Sequence, residues 1–137
     1  MTMTNDEAAN IETIKAYLDA LADGAVGERL AAFFTTDALQ VELPNRLNPS
    51  GGQSDLETML RRAEQGQRLL RAQAYDLRSA VACGDQVAVE ALWTGTLAAP
   101  LGTLSAGSTM KAHFAMFFEL ASGRIRRQRN YDCFEPW

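Results

Sequence analysis

The sequence predicts an α+β domain in which helices come first and a long antiparallel meander of strands follows. In the first half, apolar residues recur at spacings of three and four, as on one face of a helix. From Gln73 onward they alternate with polar residues at a period of two, as on a half-buried strand. Helices gathered ahead of strands indicate an α+β architecture, whereas regular alternation would indicate a doubly wound parallel sheet. The length of 137 residues fits a single domain able to bury a core without staples.

Ile11, Ile14, Leu18 and Leu21 share one face of a first helix over Ile11–Ala22, with Tyr17 beside that stripe. Gly24 is placed to stop the helix in the left-handed conformation. The polar residues 1–7 read as a flexible tail. A second helix is expected from about Val26 to Phe34, burying Leu30, Phe33 and Phe34. Thr36-Asp37 then form a polar corner, and Leu39–Leu43 alternate as a short strand that Pro44 stops. Asn45–Gln53 is a loop framed by Pro44 and Pro49 and closed by Gly51-Gly52.

Ser54 and Glu57 have the spacing of a capping box. The third helix that it opens turns Leu56, Met59, Leu60 and Ala63 inward and ends near Gly66. In the strand that follows, Gln73, Tyr75, Leu77, Ser79 and Val81 share a face, and Gly84-Asp85 turn the chain. Gln86–Leu97 carries Val87, Val89, Ala91 and Trp93 on one face. After a loop with Pro100, Gly102 and Gly107, Met110–Leu120 sets Ala112, Phe114, Met116, Phe118 and Leu120 against Lys111, His113 and Glu119. Ser122-Gly123 lead into a last strand, Arg124–Phe134. No repeat or boundary divides the chain, so residues 1–137 read as one domain.

Composition excludes several functions. Thirteen Lys and Arg against seventeen Asp and Glu leave a net charge of −4, the opposite of a nucleic-acid binder. The first residues lack the basic and apolar regions of a signal peptide, and the uncharged stretch Leu97–Met110 is broken by Pro and Gly. A cytoplasmic protein without membrane contact is therefore expected, and Cys83 and Cys133 allow at most one bridge. One histidine, no metal-ligand spacing, no G-x-S-x-G elbow and no phosphate-binding glycine motif leave cofactor-free, metal-free proton transfer as the expected chemistry.

Several segments carry a resemblance when taken in order. They are Ala16–Gly24, Leu30–Ala38, Val41–Pro44, the hairpin Gly84–Glu90, Phe117–Ile125 and Arg129–Asp132. Together they resemble the nuclear transport factor two-like superfamily, in its SnoaL-like and ketosteroid-isomerase-like branch. The resemblance implies a cone-shaped α+β barrel with three N-terminal helices against a strongly curved antiparallel sheet. It also implies a pocket in the mouth of the cone and a homodimer formed through the outer sheet face. Fold alone does not settle the activity.

Ketosteroid isomerase needs a carboxylate base, a phenol and a neutral acid. The resemblance puts the phenol at Tyr17 but the base at Leu43 and the acid at Met116, so that mechanism is not expected. It also turns Gln128, Asn130 and Asp132 of the last strand into the pocket, a choice that alternation alone does not make because both faces are polar. Asp132 becomes the candidate acid/base and Tyr17 the candidate oxyanion donor, each with a plain structural alternative: a solvated or Arg-paired carboxylate, and a core tyrosine. Gln128 and Asn130 would orient substrate or water, and Trp93, Val89, Phe114, Met116, Phe118 and Leu43 would wall the ligand site. Tyr75 reads as wall or core, Glu42 and Glu90 as outward-facing or in a subunit contact, Arg61-Arg62 as solvated, and His113 as a surface or interface residue. The expected function is acid/base chemistry (isomerisation, cyclisation, dehydration or hydration) on a small hydrophobic carbonyl compound. The alternative is a non-catalytic binding or assembly module on the same fold.

Overall fold

The computed structural model describes residues 2–137. Helix α1 (Asn5–Ala22) buries Ile11, Ile14, Tyr17 and Leu18, the stripe that the spacing predicts. It starts earlier than its apolar pattern does. Thr4 caps it, accepting from the Glu7 amide at 3.1 Å while the Glu7 carboxylate accepts from the Thr4 amide at 2.9 Å. Residues 5–7 are thus a helical turn and not a tail, and Met1 lies outside the described residues. At the other end Gly24, with φ +79°, donates to Leu21, and Ala25 donates to Ala20. That pair of bonds is a Schellman stop.

Helix α2 (Gly27–Ala31) is shorter than expected. The Phe33 carbonyl accepts from the Ile125 amide at 2.8 Å, and strand β1 (Phe34–Glu42) begins immediately. Aromatic and β-branched residues favour that choice once a partner strand is present. The polar corner at Thr36-Asp37 is a bulge inside β1, because Phe34 pairs with Ile125 but Leu39 pairs with Arg127.

Strand β2 (Gly52–Asp55) pairs with β1 and draws Ser54 into the extended chain. Asp55, not Ser54, therefore caps helix α3 (Leu56–Leu69), accepting from the Thr58 amide at 2.9 Å. The helix continues through Gly66 to Leu69. Asp55→Ala is expected to cost about 1 kcal/mol in urea unfolding, the usual value of a lost N-cap. Ser54→Ala should leave the cap intact, and the reverse ranking would reassign it.

Strands β3 (Leu70–Cys83), β4 (Gln86–Leu97), β5 (Thr109–Ala121) and β6 (Arg124–Phe134) form the antiparallel meander. Ser122 and Gly123, with φ +51° and +77°, make the two-residue turn between the last two. The sheet order is β2-β1-β6-β5-β4-β3, and β1 runs parallel to β6. The sheet is thus mixed, not wholly antiparallel, and its two outer strands do not close on each other.

Two bulges reset the strand faces. In β3, Leu77 pairs with Ala91 and Ser79 with Glu90, so Arg78 is extra. Ala80 and Ala82 therefore turn toward the core, while Ser79 and Val81, expected on one face with Tyr75 and Leu77, turn away from it; Val81 is 63% exposed. In β6, Glu119 pairs with Arg127 and Leu120 with Ile125, leaving Arg126 extra. β4 and β5 keep their alternation, and Val87, Val89, Ala91, Trp93, Phe114, Met116 and Phe118 are all buried. The Trp93 indole donates to Gln73 at 2.9 Å, and Gln73 donates to the Leu21 carbonyl at 3.1 Å, tying the end of α1 to the sheet. No helix is long and apolar enough to cross a membrane.

Candidate functional site

Between α1, α3 and the inner face of the sheet lies a cavity of about 260 Å³. Its apolar wall includes Leu30, Phe34, Met59, Phe114 and Met116. Its polar side is built on β6, where the bulge at Arg126 sends Gln128 and Asn130 inward and Arg129 outward. The Tyr17 hydroxyl donates to Gln128 Oε1 at 3.2 Å, and Gln128 Nε2 donates to Asn130 Oδ1 at 2.9 Å. Donation thus runs one way along the chain, leaving Asn130 Nδ2 free of any described partner at the cavity wall. Burial pushes the Tyr17 hydroxyl up to about 12, the bond to Gln128 offsetting part of the rise, so the phenol stays protonated. The Tyr17 ring is held edge-on by Phe34 and Phe118, at 5.4 and 6.0 Å.

Asp132 is the next inward residue of β6, just past the cavity wall and paired across β5 with wall residue Phe114. Its Oδ1 is buried and makes no hydrogen bond, and no arginine pairs with it. Burial, helped by the negative charge of Glu42, pushes its carboxyl up to about 7. Glu42 has the opposite fate. Burial raises it, but Asn48, Asn45 and Arg62 hold it below the usual carboxylate range, with donors at 2.9, 3.0 and 2.8 Å.

Glu42, expected to face outward, lines the cavity, and Arg62, exposed as expected, reaches the same cavity and pairs with it. The signal for Glu42 lay in the loop Asn45–Asn48: Asn45 accepts from the amides of Leu47 and Asn48, folding both amide side chains back over Glu42. Gly51, with φ +61°, lies so close to the Glu42 carbonyl that an added Cβ would sit 2.5 Å away. Gln40, Leu21 and Ala63 are further wall residues that were not anticipated. Of the expected wall, Phe114 and Met116 line the cavity, whereas Val89, Trp93, Phe118 and Leu43 do not. The first three are core residues, and the Leu43 amide bonds the Asn130 carbonyl at 3.0 Å. His113 lies on the outer face, 3.0 Å from Glu135. Among the described residues, no three His, Cys, Asp or Glu side chains converge as metal ligands would.

Glu42→Gln removes the charge that helps keep Asp132 protonated. The Asp132 midpoint, read from the pH dependence of its 13C carboxyl shift, is expected to move downward. It should stay above the ordinary range because burial is the larger cause. An unmoved midpoint would show that the two carboxyls do not interact.

The profile of the SnoaL-like domain matches residues 14–128. The chain belongs to the SnoaL-like family. Comparison with curated proteins gave no significant match. Among solved structures, this SnoaL-like domain is similar to IdmH of Streptomyces antibioticus, described as a candidate polyketide cyclase. That alignment has 21% identity and a TM-score of 0.75, covering 90% of this chain and 91% of the other. AclR of Streptomyces galilaeus, described as a candidate hydroxylase, aligns with 14% identity and a TM-score of 0.78, covering 95% and 82% of the two chains. TerC, crystallised with polyporic acid, aligns with 17% identity and a TM-score of 0.71, covering 90% and 91%. At these identities the likeness is one of fold, and it agrees with three helices packed on a curved sheet.

Proposed function

We propose that this SnoaL-like domain carries out cofactor-free acid/base chemistry on a small hydrophobic carbonyl compound, with Asp132 as the proton carrier. The observation that carries this reading is the divergence of two neighbouring carboxyls. Glu42 is held ionised by three donors, while Asp132 is desolvated, unpartnered and poised at about 7. Environments that drive paired titratable groups apart mark acid/base sites, and a carrier near neutrality both takes and returns a proton efficiently. An unpartnered carboxyl also has no hydrogen bond to break when it turns to a ligand.

Ionised Asp132 would remove a proton from the carbon beside the carbonyl. The electron pair of that C–H bond would move to the carbonyl oxygen as an enolate. Asn130 Nδ2 would donate to the oxygen, with Tyr17 and Gln128 holding the amide in that direction. Protonated Asp132 would return the proton at another carbon to complete an isomerisation, or the enolate carbon would attack a second carbonyl to close a ring. The electron pair of that second carbonyl would move to its oxygen, which takes the proton from Asp132 to become a hydroxyl. The cavity is slightly smaller than the usual range of about 300–1,000 Å³ for ligand pockets, which favours a compact substrate. The related fold crystallised with polyporic acid supports a small-molecule role.

The test is a thermal-shift panel of hydrophobic ketones, polyketide fragments, epoxides and small terpenoids on wild type and Asp132→Asn, followed by turnover assays on the hits. A ligand at one hundred times its Kd adds about 2.7 kcal/mol. Loss of turnover with binding retained is the expected result for Asp132→Asn. Undiminished turnover would remove Asp132 from the chemistry.

A second reading, a non-catalytic binding module, is favoured by the Tyr17–Gln128–Asn130 chain, whose bonds are made within the protein. It would give hits without turnover in either form. A homodimer through the outer sheet face would cover Val81, Phe117 and Tyr131, all exposed there. Gel filtration at monomer size would remove that part of the proposal.

A further inference from the structure

Tyr75 occupies β3, which β5 and β4 separate from β6 in the sheet, and it lines the cavity with its ring edge-on to Phe114 at 6.0 Å. The site contains two phenols, and they differ in one respect. Tyr17 has committed its hydroxyl proton to Gln128, whereas the Tyr75 hydroxyl hydrogen-bonds no described residue although it lines the cavity. Tyr75 is half-buried and lines the cavity, so a phenol hydroxyl without a protein partner is available there to a ligand. The Tyr75 phenol is pushed well above its ordinary range, by burial first and then by the nearby Tyr17 and Asp132. It therefore remains a donor, and it stands close enough to Asp132 to feel its charge.

We propose that Tyr75 is the ligand-contacting donor of this cavity, its hydroxyl hydrogen-bonding the carbonyl oxygen of the substrate across from Asn130 Nδ2. This assignment rests on the proposed carbonyl chemistry and deepens it by naming the group that recognises the carbonyl. Two donors from different strands, Tyr75 on β3 and Asn130 on β6, would then converge on one oxygen. The apolar surface between them, Phe114 and Met116, takes the hydrocarbon part. Tyr17 acts behind them as a positioning residue, through Gln128.

The test uses a probe pair of nearly identical shape that differs in one oxygen, 1-indanone and indane, titrated by calorimetry into wild type, Tyr75→Phe and Tyr17→Phe. Wild type is expected to prefer the ketone by about two- to tenfold, the contribution of one net hydrogen bond. Tyr75→Phe should reduce that preference while leaving the affinity for indane unchanged, and its melting temperature should stay close to that of wild type, since the hydroxyl it deletes bonds no described residue. Tyr17→Phe should keep much of the preference. A full preference in Tyr75→Phe overturns the assignment and leaves the carbonyl reading standing. Equal affinity of wild type for both probes overturns the assignment and the carbonyl reading together. Because binding is measured at equilibrium, neither outcome depends on whether Asp132 carries a proton in turnover.

Discussion

Asp132→Asn is expected to lower turnover by about 10²–10⁴-fold, the usual contribution of a general acid/base, and at the same time to make the folded protein more stable at alkaline pH. In the folded state the carboxyl keeps its proton up to about 7. In the unfolded chain it ionises near the ordinary value of about 3.9. Between those values the folded state binds more protons than the unfolded state, so this group makes stability fall as pH rises. The contribution is fully favourable below about pH 4 and fully lost above about pH 7. About three pKa units correspond to roughly 4 kcal/mol at most, and the partial exposure of the residue reduces the effect to a few kcal/mol.

Asparagine has no charge to bury. Wild type and variant should therefore melt at similar temperatures near pH 4 and separate by several degrees at pH 8, with the variant higher. Melting curves across that range are the measurement. Parallel dependence on pH in the two proteins would show that Asp132 ionises normally, and the acid/base assignment would lose its physical basis. A gain in stability at the expense of activity is also the usual signature of a group whose strained environment serves function.

Gly95→Ala is expected to be the most damaging small substitution in the sheet. Gly95 lies on the inner face of β4 beneath the Trp93 indole. A methyl there would sit 2.4 Å from Trp93 Cη2 and 2.5 Å from Cζ2. The ring cannot easily yield. It is stacked on Phe114 at 5.5 Å, met edge-on by Phe134 at 5.9 Å and anchored through its N–H to Gln73. Displacing it also loosens the Gln73 bond to the end of α1. Overpacking of this kind costs about 1–3 kcal/mol, and loss of the indole hydrogen bond adds about 1 kcal/mol. The midpoint of urea unfolding should fall accordingly, with a change in tryptophan fluorescence. Trp93→Phe in the Gly95→Ala background should recover part of the loss, because the smaller ring leaves space for the methyl. Additive losses in the double variant would place the damage elsewhere.

Much of this architecture was legible because local chemistry and periodicity act over short distances. The stripe of α1, its stop at Gly24, the inner faces of β4 and β5 and the turn at Ser122-Gly123 each follow from spacing, glycine freedom or turn chemistry within a few residues. What the same sequence could not express locally was pairing. The Phe33 carbonyl ends α2 because the Ile125 amide, far along the chain, takes it. Ser54 loses the cap to Asp55 because β2 pairs with β1.

The candidate site shows the same division. Counting by twos from the buried Ile125 would send Arg127, Arg129 and Tyr131 into the core. The bulge at Arg126 instead turns Gln128, Asn130 and Asp132 inward. Glu42 joins the cavity because Asn45, Asn48 and Arg62 converge on it from a loop and a helix. The sequence by itself determined the fold class, the helical stripe and the alternating core, since these depend on burying neighbouring apolar groups. Only the tertiary structure decided which carboxyl stays ionised and which keeps its proton. A pKa is set by desolvation and by charges brought near in space, and no spacing along the chain records either.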